Sequence, residues 1–165
     1  MSTPPPYTKP EFERRWLVPA EASFEGVAKR KREIEDRYIH GTRLRLRKVT
    51  ESGQTTIYKL GKKYQPEALG IHHVVSAYLD EAEYQVLLAL PARVSKKQRF
   101  TVYGGALDVY EQPNPGLRIF EVEFATADAA RNYAPPKGIG QEVTNTLAFT
   151  GYALAGAASQ ETPPK

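Results

Sequence analysis

Polar and apolar positions alternate with a period of two along most of the chain. In residues 11–18, Glu11, Glu13, Arg15 and Leu17 fall on one face of a strand. Phe12, Trp16 and Val18 fall on the other, with Arg14 among them, and Pro19 ends the run. Residues 42–49 alternate more strictly, with Arg43, Arg45 and Arg47 on one face and Leu44 and Leu46 on the other. Glu51-Ser52-Gly53-Gln54 predicts a hairpin turn, and residues 55–60 return antiparallel with Ile57 and Lys59 on one face. Strands are also predicted over 34–39, 71–78, 94–103, 106–110 and 117–124. Turns are expected at His40-Gly41, Gly104-Gly105 and Asn114-Pro115-Gly116, and 61–70 reads as a polar loop.

A helical period appears in fewer places. Over residues 80–90, Tyr84, Leu87 and Leu88 form an apolar stripe, Asp80 is the N-cap and Glu83 completes a capping box, with Pro91 following. Thr126 is expected to cap a second helix over 127–133, before Pro135-Pro136. Residues 20–29 predict a short helix with Phe24 and Val27 as its contacts. Residues 138–154 read either as a strand near Glu142 or as a short helix around 147–154. About seven or eight short strands with two clear helices make an α+β chain built on an antiparallel sheet or barrel.

Composition narrows the class. The 165 residues suit one domain with a real core, and 41% hydrophobic with 25% charged residues describe a globular chain. Residues 1–9 read as a flexible lead-in, 10–155 as the domain and 156–165 as a flexible tail. There is no apolar run of about 20 residues and no secretory h-region, so no membrane span is expected. The absence of cysteine excludes a disulfide framework, a thiolate nucleophile and a cysteine zinc site. A cytoplasmic protein, monomer or homodimer, is the expectation. The net charge of +4 points to an anionic partner.

The charged strand faces carry the candidate chemistry. Glu11, Glu13 and Arg15 share one face; so do Arg43, Arg45 and Arg47; Lys59 lies on the return strand; Lys97 and Arg99 share a face, as do Glu121 and Glu123. Opposite them, most neighbours are apolar. If the apolar faces pack outward under helices, the charged faces meet across a groove or lumen. Unpaired charges held away from water cost several kcal/mol each. A polyanion with divalent cations would satisfy such a lumen, with Lys and Arg on phosphates and carboxylates on a hard metal. Lys29-Arg30-Lys31-Arg32 reads as a solvated basic run. His72 and His73 are adjacent in a strand and point to opposite faces, which argues against a metal pair. Trp16 and Phe12 read as core. There is no P-loop, no G-x-G-x-x-G after a strand and no nucleophile elbow.

In order along the chain, these residues resemble the CYTH domain, or triphosphate tunnel metalloenzyme superfamily. Glu11-x-Glu13-x-Arg15 is similar to its ExExK signature, with arginine in place of lysine. Arg45-Leu46-Arg47 resembles its paired arginines and Tyr58-Lys59 its strand lysine. Lys97-Gln98-Arg99-Phe100 resembles K-x-R-[YF], and Leu107-Asp108-Val109-Tyr110 the acidic segment that follows. Gly116-Leu117 with Glu121-Val122-Glu123-Phe124, and then Glu142-Val143-Thr144, resemble the G-L…E-x-E and late E-V-T segments. The resemblance implies an eight-stranded antiparallel barrel forming a tunnel, with a few flanking helices. It also implies enzymes acting on triphosphates with Mg²⁺ or Mn²⁺. Two departures stand out. Many members carry acidic residues where this chain reads His72-His73-Val74-Val75-Ser76-Ala77, and the basic and aromatic residues expected after E-V-T are missing.

The resulting expectation is a metal-dependent phosphohydrolase acting on inorganic tripolyphosphate or another triphosphate, organic or nucleoside, with a triphosphate or a polyphosphate as its partner. Arg15, Arg45, Arg47, Lys59, Lys97 and Arg99 would cradle phosphates, with Arg43, which has no counterpart in the family's arginine pair, as a further candidate. Glu11, Glu13, Glu121 and Glu123 would bind the metal. Glu13, or else Glu11, would serve the attacking water. Asp108 and Glu142 would stand behind these ligands or be simply structural. Two alternatives keep the tunnel: a triphosphate-binding module without turnover, and an adenylate cyclase of the same superfamily. No nucleic acid is expected, since the carboxylates would repel a phosphate backbone unless a metal intervened; an RNA-binding β-domain would need its arginines exposed.

Overall fold

The computed structural model of the chain describes residues 4–65 and 71–157. The ends of the expected lead-in and tail, and the second half of the expected 61–70 loop, lie outside the described residues. In chain order the elements are strands β1 (Lys9–Leu17), β2 (Lys29–Ile39), β3 (Leu44–Thr50), β4 (Ile57–Lys63) and β5 (Ile71–Leu79), helix α1 (Glu81–Leu87), and strands β6 (Ala92–Val102), β7 (Gly105–Gln112) and β8 (Arg118–Phe124). Helix α2 (Ala127–Asn132), a 3₁₀ turn (Leu147–Phe149), helix α3 (Gly151–Leu154) and a two-residue strand β9 (Gly156–Ala157) complete the chain.

Pairing runs β2-β3-β4-β5-β1-β8-β7-β6, and β2 also pairs with β6, so the eight long antiparallel strands close into a barrel. Closure leaves no free edge along this ring. The period-two alternation then sorts every strand into an inner and an outer face. In β1, paired with β8 in the register Arg15↔Glu121 and Glu13↔Glu123, the odd positions face the lumen. The even positions of β1 turn outward, where Trp16, with Val18 just beyond the strand, is buried together with Val102, Leu107, Phe120 and Val122 in an outer core.

The predicted helices at Asp80 and Thr126 form as expected. Asp80 accepts from the Glu83 backbone N–H while the Glu83 side chain returns to the Asp80 N–H, and Thr126 accepts from the Ala129 N–H. Helix α1 buries Tyr84, whose ring lies 4.5 Å from that of Tyr58. The short helix predicted over residues 20–29 does not form. The segment runs as turns, and Gly26 adopts a left-handed φ of 76° that would interrupt any helix there. Phe24 and Val27 still pack against the outer core. Two strands are longer than the alternation shows. The basic run Lys29–Arg32 opens β2, and β4 continues through Gly61 to Lys63. Both readings of residues 138–154 find a counterpart: Glu142 forms a bridge to Trp16, and the 3₁₀ turn and α3 follow.

One end of the barrel is stopped by this last segment. Arg15 Nη1 donates to the Phe149 carbonyl (2.5 Å), and Leu154 is buried with Tyr110 and Ile119. Gly151 lies so close to the Tyr38 hydroxyl that a Cβ there would sit 1.9 Å from it. On the outer wall the Arg14 fork clamps the same region, donating to both Glu142 carboxylate oxygens (2.8 and 2.6 Å) and to the Ala130 and Tyr133 carbonyls. Among the described residues no helix is long and apolar enough to cross a membrane.

Candidate functional site

The lumen carries a relay of opposite charges across neighbouring strands. Lys63 of β4 sits 2.5 Å from Glu11 Oε2 and 3.7 Å from Glu13 Oε2, both on β1. Arg15 Nε lies 3.8 Å from Glu13 and 3.5 Å from Glu121 of β8. Glu121 also accepts from Arg99 Nη2 at 3.0 Å. Arg99 and Lys97 of β6 then converge on Asp108 of β7. Arg99 donates at 2.6 and 2.7 Å, and Lys97 Nζ donates at 2.5 Å. On the facing wall Arg47 holds Asp36 of β2 through two bonds of 2.6 and 2.7 Å, with Arg45 Nε 3.7 Å away.

This arrangement sets the protonation states. Burial alone would raise Asp36, but Arg47 and Arg45 hold its carboxyl far below the ordinary range. Glu121 and Asp108 behave alike. Burial opposes their ionisation, and the neighbouring cations, chiefly Arg99 and Arg15 for Glu121 and Lys97 and Arg99 for Asp108, outweigh it. Glu13 is the exception. Burial and the neighbouring Glu121 raise its carboxyl, against the partial relief of Lys63 and Arg15. Lys59 is lowered by burial and by repulsion from Arg47 and Arg45.

Most of the residues singled out from sequence therefore meet in one lumen: Glu11, Glu13, Arg15, Arg45, Arg47, Lys59, Lys97, Arg99, Asp108 and Glu121. Three sit elsewhere or at its edge. Arg43 is exposed and precedes β3, because the chain is still in the 42–43 bend there. Glu123 is exposed, at the register position opposite Glu13. Glu142 lies on the outer wall in the grip of Arg14. Asp108 is fully buried, with both oxygens taken by Lys97 and Arg99. Among the lumen residues that alternation did not flag are Asp36 and Lys63. Asp36 sits between Ile34 and Tyr38, where no charge repeat marks it. Lys63 follows Gly61, which interrupts the side-chain pattern of β4.

The fit to a divalent cation can be tested on these contacts. Among the described residues no three Asp, Glu or His side chains are grouped so as to hold a metal ion. Glu121 is engaged by two arginines, and Glu11 and Glu13 share the Lys63 ammonium. The lumen face of β5, where Val74 and Ser76 pair with Lys63 and Gly61, adds no carboxylate. An all-protein cage is thus not built here. A pair of carboxylates does fit a hard cation of the Mg²⁺ kind, which commonly takes one or two carboxylates and fills its other positions with phosphate oxygens and water.

No protein-family model matches the chain, and no curated protein matches it. Solved structures do. The inorganic triphosphatase NE1496 is 24% identical with a TM-score of 0.57, over 90% of this chain and 95% of that one. A second structure of NE1496, described as a hypothetical protein, gives 23% and 0.58, over 90% and 99%. The PH1012 protein from Pyrococcus horikoshii OT3 is 19% identical with a TM-score of 0.51, over 73% and 83%. At these identities the likeness is one of fold. With its closed ring of eight antiparallel strands around a charged lumen, the chain shares the barrel fold of these structures.

Proposed function

We propose that this chain is a phosphohydrolase that takes a triphosphate, inorganic tripolyphosphate foremost, into its barrel together with Mg²⁺ or Mn²⁺. The observation that supports this reading is the mixed lumen. Arg15, Arg45, Arg47, Lys59 and Arg99 share one inner surface with the carboxylates Glu11, Glu13 and Glu121. The guanidiniums bind phosphoryl oxygens and offset charge as it develops in the transition state. Glu11 and Glu13 would hold a cation that arrives with the phosphates. When bound, that cation neutralises the transferring phosphoryl group. Glu13 orients the attacking water and takes its proton.

The test is phosphate release from tripolyphosphate and from ATP with Mg²⁺ or Mn²⁺. Glu13→Gln is expected to lower the rate by about 10²–10⁴-fold, the usual contribution of a general base. Wild-type release no greater than that of a Glu13→Gln/Glu123→Gln control would end the hydrolase reading. Product analysis with ATP separates hydrolysis from cyclisation.

A second reading, a triphosphate-binding module without turnover, is favoured by a different observation. No three carboxylate or histidine side chains are grouped for a metal among the described residues, and Val74 and Ser76 offer none on β5. It predicts salt-sensitive tripolyphosphate binding with no product.

A further inference from the structure

The basic run Lys29–Arg32 is not a solvated patch throughout. A bulge between Lys29 and Arg32, with Arg30 at φ 52°, precedes the pair Arg32↔Arg99 across β2 and β6. Arg30 and Arg32 thereby line a cavity of about 440 Å³ together with Arg47, Lys59, Tyr78 and Arg99. This cavity lies away from the end stopped by Phe149 and Leu154, at the open mouth of the barrel.

Charge balance differs between the mouth and the interior. Inside, Lys97 and Arg99 have Asp108, Arg47 has Asp36, and Arg15 has Glu13 and Glu121. At the mouth, the carboxylate of Glu51 is taken by Arg30. Arg32 makes no hydrogen bond or ion pair among the described residues, and its Nε is buried without a partner. Lys59 meets the ring of Tyr78 at 5.4 Å and no carboxylate within ion-pair distance among the described residues. Burial and the neighbouring Arg99 and Arg30 push the Arg32 guanidinium below its ordinary value, which marks a local excess of positive charge. A buried Nε–H with no acceptor, on a guanidinium that has no carboxylate partner, calls for an anion.

We propose that Arg32, with Lys59 and the free edges of Arg47 and Arg99, forms a phosphate subsite at the mouth, and that it takes the outermost phosphate of a linear polyphosphate longer than three units. The proposal rests on the reading of the lumen as a triphosphate site and extends that site outward. An inorganic chain suits the mouth because five of its lining residues, Arg30, Arg32, Arg47, Lys59 and Arg99, carry a positive charge, whereas a nucleoside would have to rest on Tyr78 and the aliphatic Ile34, Val49 and Ile57.

The experiment is calorimetric titration in EDTA of wild type, Arg32→Gln, Arg32→Lys and Lys31→Gln with tripolyphosphate, tetrapolyphosphate and ATP. Circular dichroism confirms that each variant is folded. Wild type is expected to bind tetrapolyphosphate about tenfold more tightly than tripolyphosphate, the size of one charge-assisted bond. Arg32→Gln should erase that difference and leave tripolyphosphate within about threefold of wild type. Arg32→Lys should restore part of the difference. Lys31→Gln, exposed and paired with Glu33, should keep all of it. Equal losses for both polyphosphates in Arg32→Gln would overturn the proposal, as would no loss for either, or an Arg32-dependent preference for ATP. Wild type that binds tripolyphosphate without any gain for the longer chain sinks the mouth subsite alone. Wild type that binds neither sinks the triphosphate reading as well.

Discussion

Replacing Asp108 by asparagine separates a structural counter-ion from a metal ligand. Asp108 has no exposed surface and accepts three charged hydrogen bonds: two on Oδ2, from Lys97 and Arg99 Nη2, and one on Oδ1, from Arg99 Nε. Asparagine has one acceptor oxygen. Placed at the Oδ2 position it keeps two bonds, but turns its amide N–H₂ toward Arg99 Nε. Placed at Oδ1 it keeps one. In either orientation the negative charge is gone, and two buried cations face each other with Glu121 and the more distant Asp36 to offset them. Removing one member of such a buried set costs about 3–5 kcal/mol. Folded domains hold only about 5–15 kcal/mol in total, so Asp108→Asn would lose a large share. The single tryptophan, Trp16, is buried in the outer core and reports unfolding in urea by its fluorescence. If the cations released from Asp108 then bind phosphate, saturating tripolyphosphate should stabilise the variant more than it stabilises wild type. A loss below about 1 kcal/mol, with metal binding abolished instead, would refute the counter-ion assignment.

Two further outcomes follow from the same contacts. Asp36, Asp108 and Glu121 titrate below their unfolded values in the folded chain, so the unfolded chain takes up protons first as pH falls. Their contribution is complete above about pH 5 and is lost progressively below it; Glu13, raised by burial, works in the opposite sense but alone against three. Urea midpoints should be level from about pH 8 to 6 and fall steeply below about pH 4, and a level profile down to about pH 3 would contradict this. Lys63→Met removes the ammonium shared by Glu11 and Glu13. Free Mn²⁺, followed by electron paramagnetic resonance without substrate, should then bind about three- to tenfold more tightly, and unchanged affinity would show that Lys63 does not compete for this pair.

Much of this was legible in the chain because a closed barrel imposes period two on every long strand. Trp16 and Phe120 outside, and Arg15 and Glu121 inside, follow from alternation once the strands are recognised. The capping box at Asp80 is local chemistry and reads directly. Less legible were residues whose strands lack apolar alternation. Arg30 and Arg32 sit in four consecutive basic residues, and only the β2–β6 pairing that closes the ring turns them toward the mouth. Lys63 stands two residues beyond Gly61, so the side-chain pattern of β4 stops short of it, and Asp36 is defined by Arg47, a partner eleven residues away on the next strand. The pairing of carboxylates with cations is likewise a three-dimensional fact. Counting Glu11, Glu13, Glu121 and Glu123 in the sequence does not reveal that Lys63, Arg15 and Arg99 already stand among them.

The stopper formed by Phe149 and Leu154 has a consequence for traffic. A barrel open at both ends would let a polymer thread through and be cut anywhere along its length. Here whatever enters must leave by the way it came, so under the proposed reading departing phosphate and incoming chain would compete for one doorway. Only a free terminus would then reach down to Glu13. If the proposed polyphosphate reading holds, such a chain would be trimmed from its tip, and a ring-closed polyphosphate, having no tip, would not be cut.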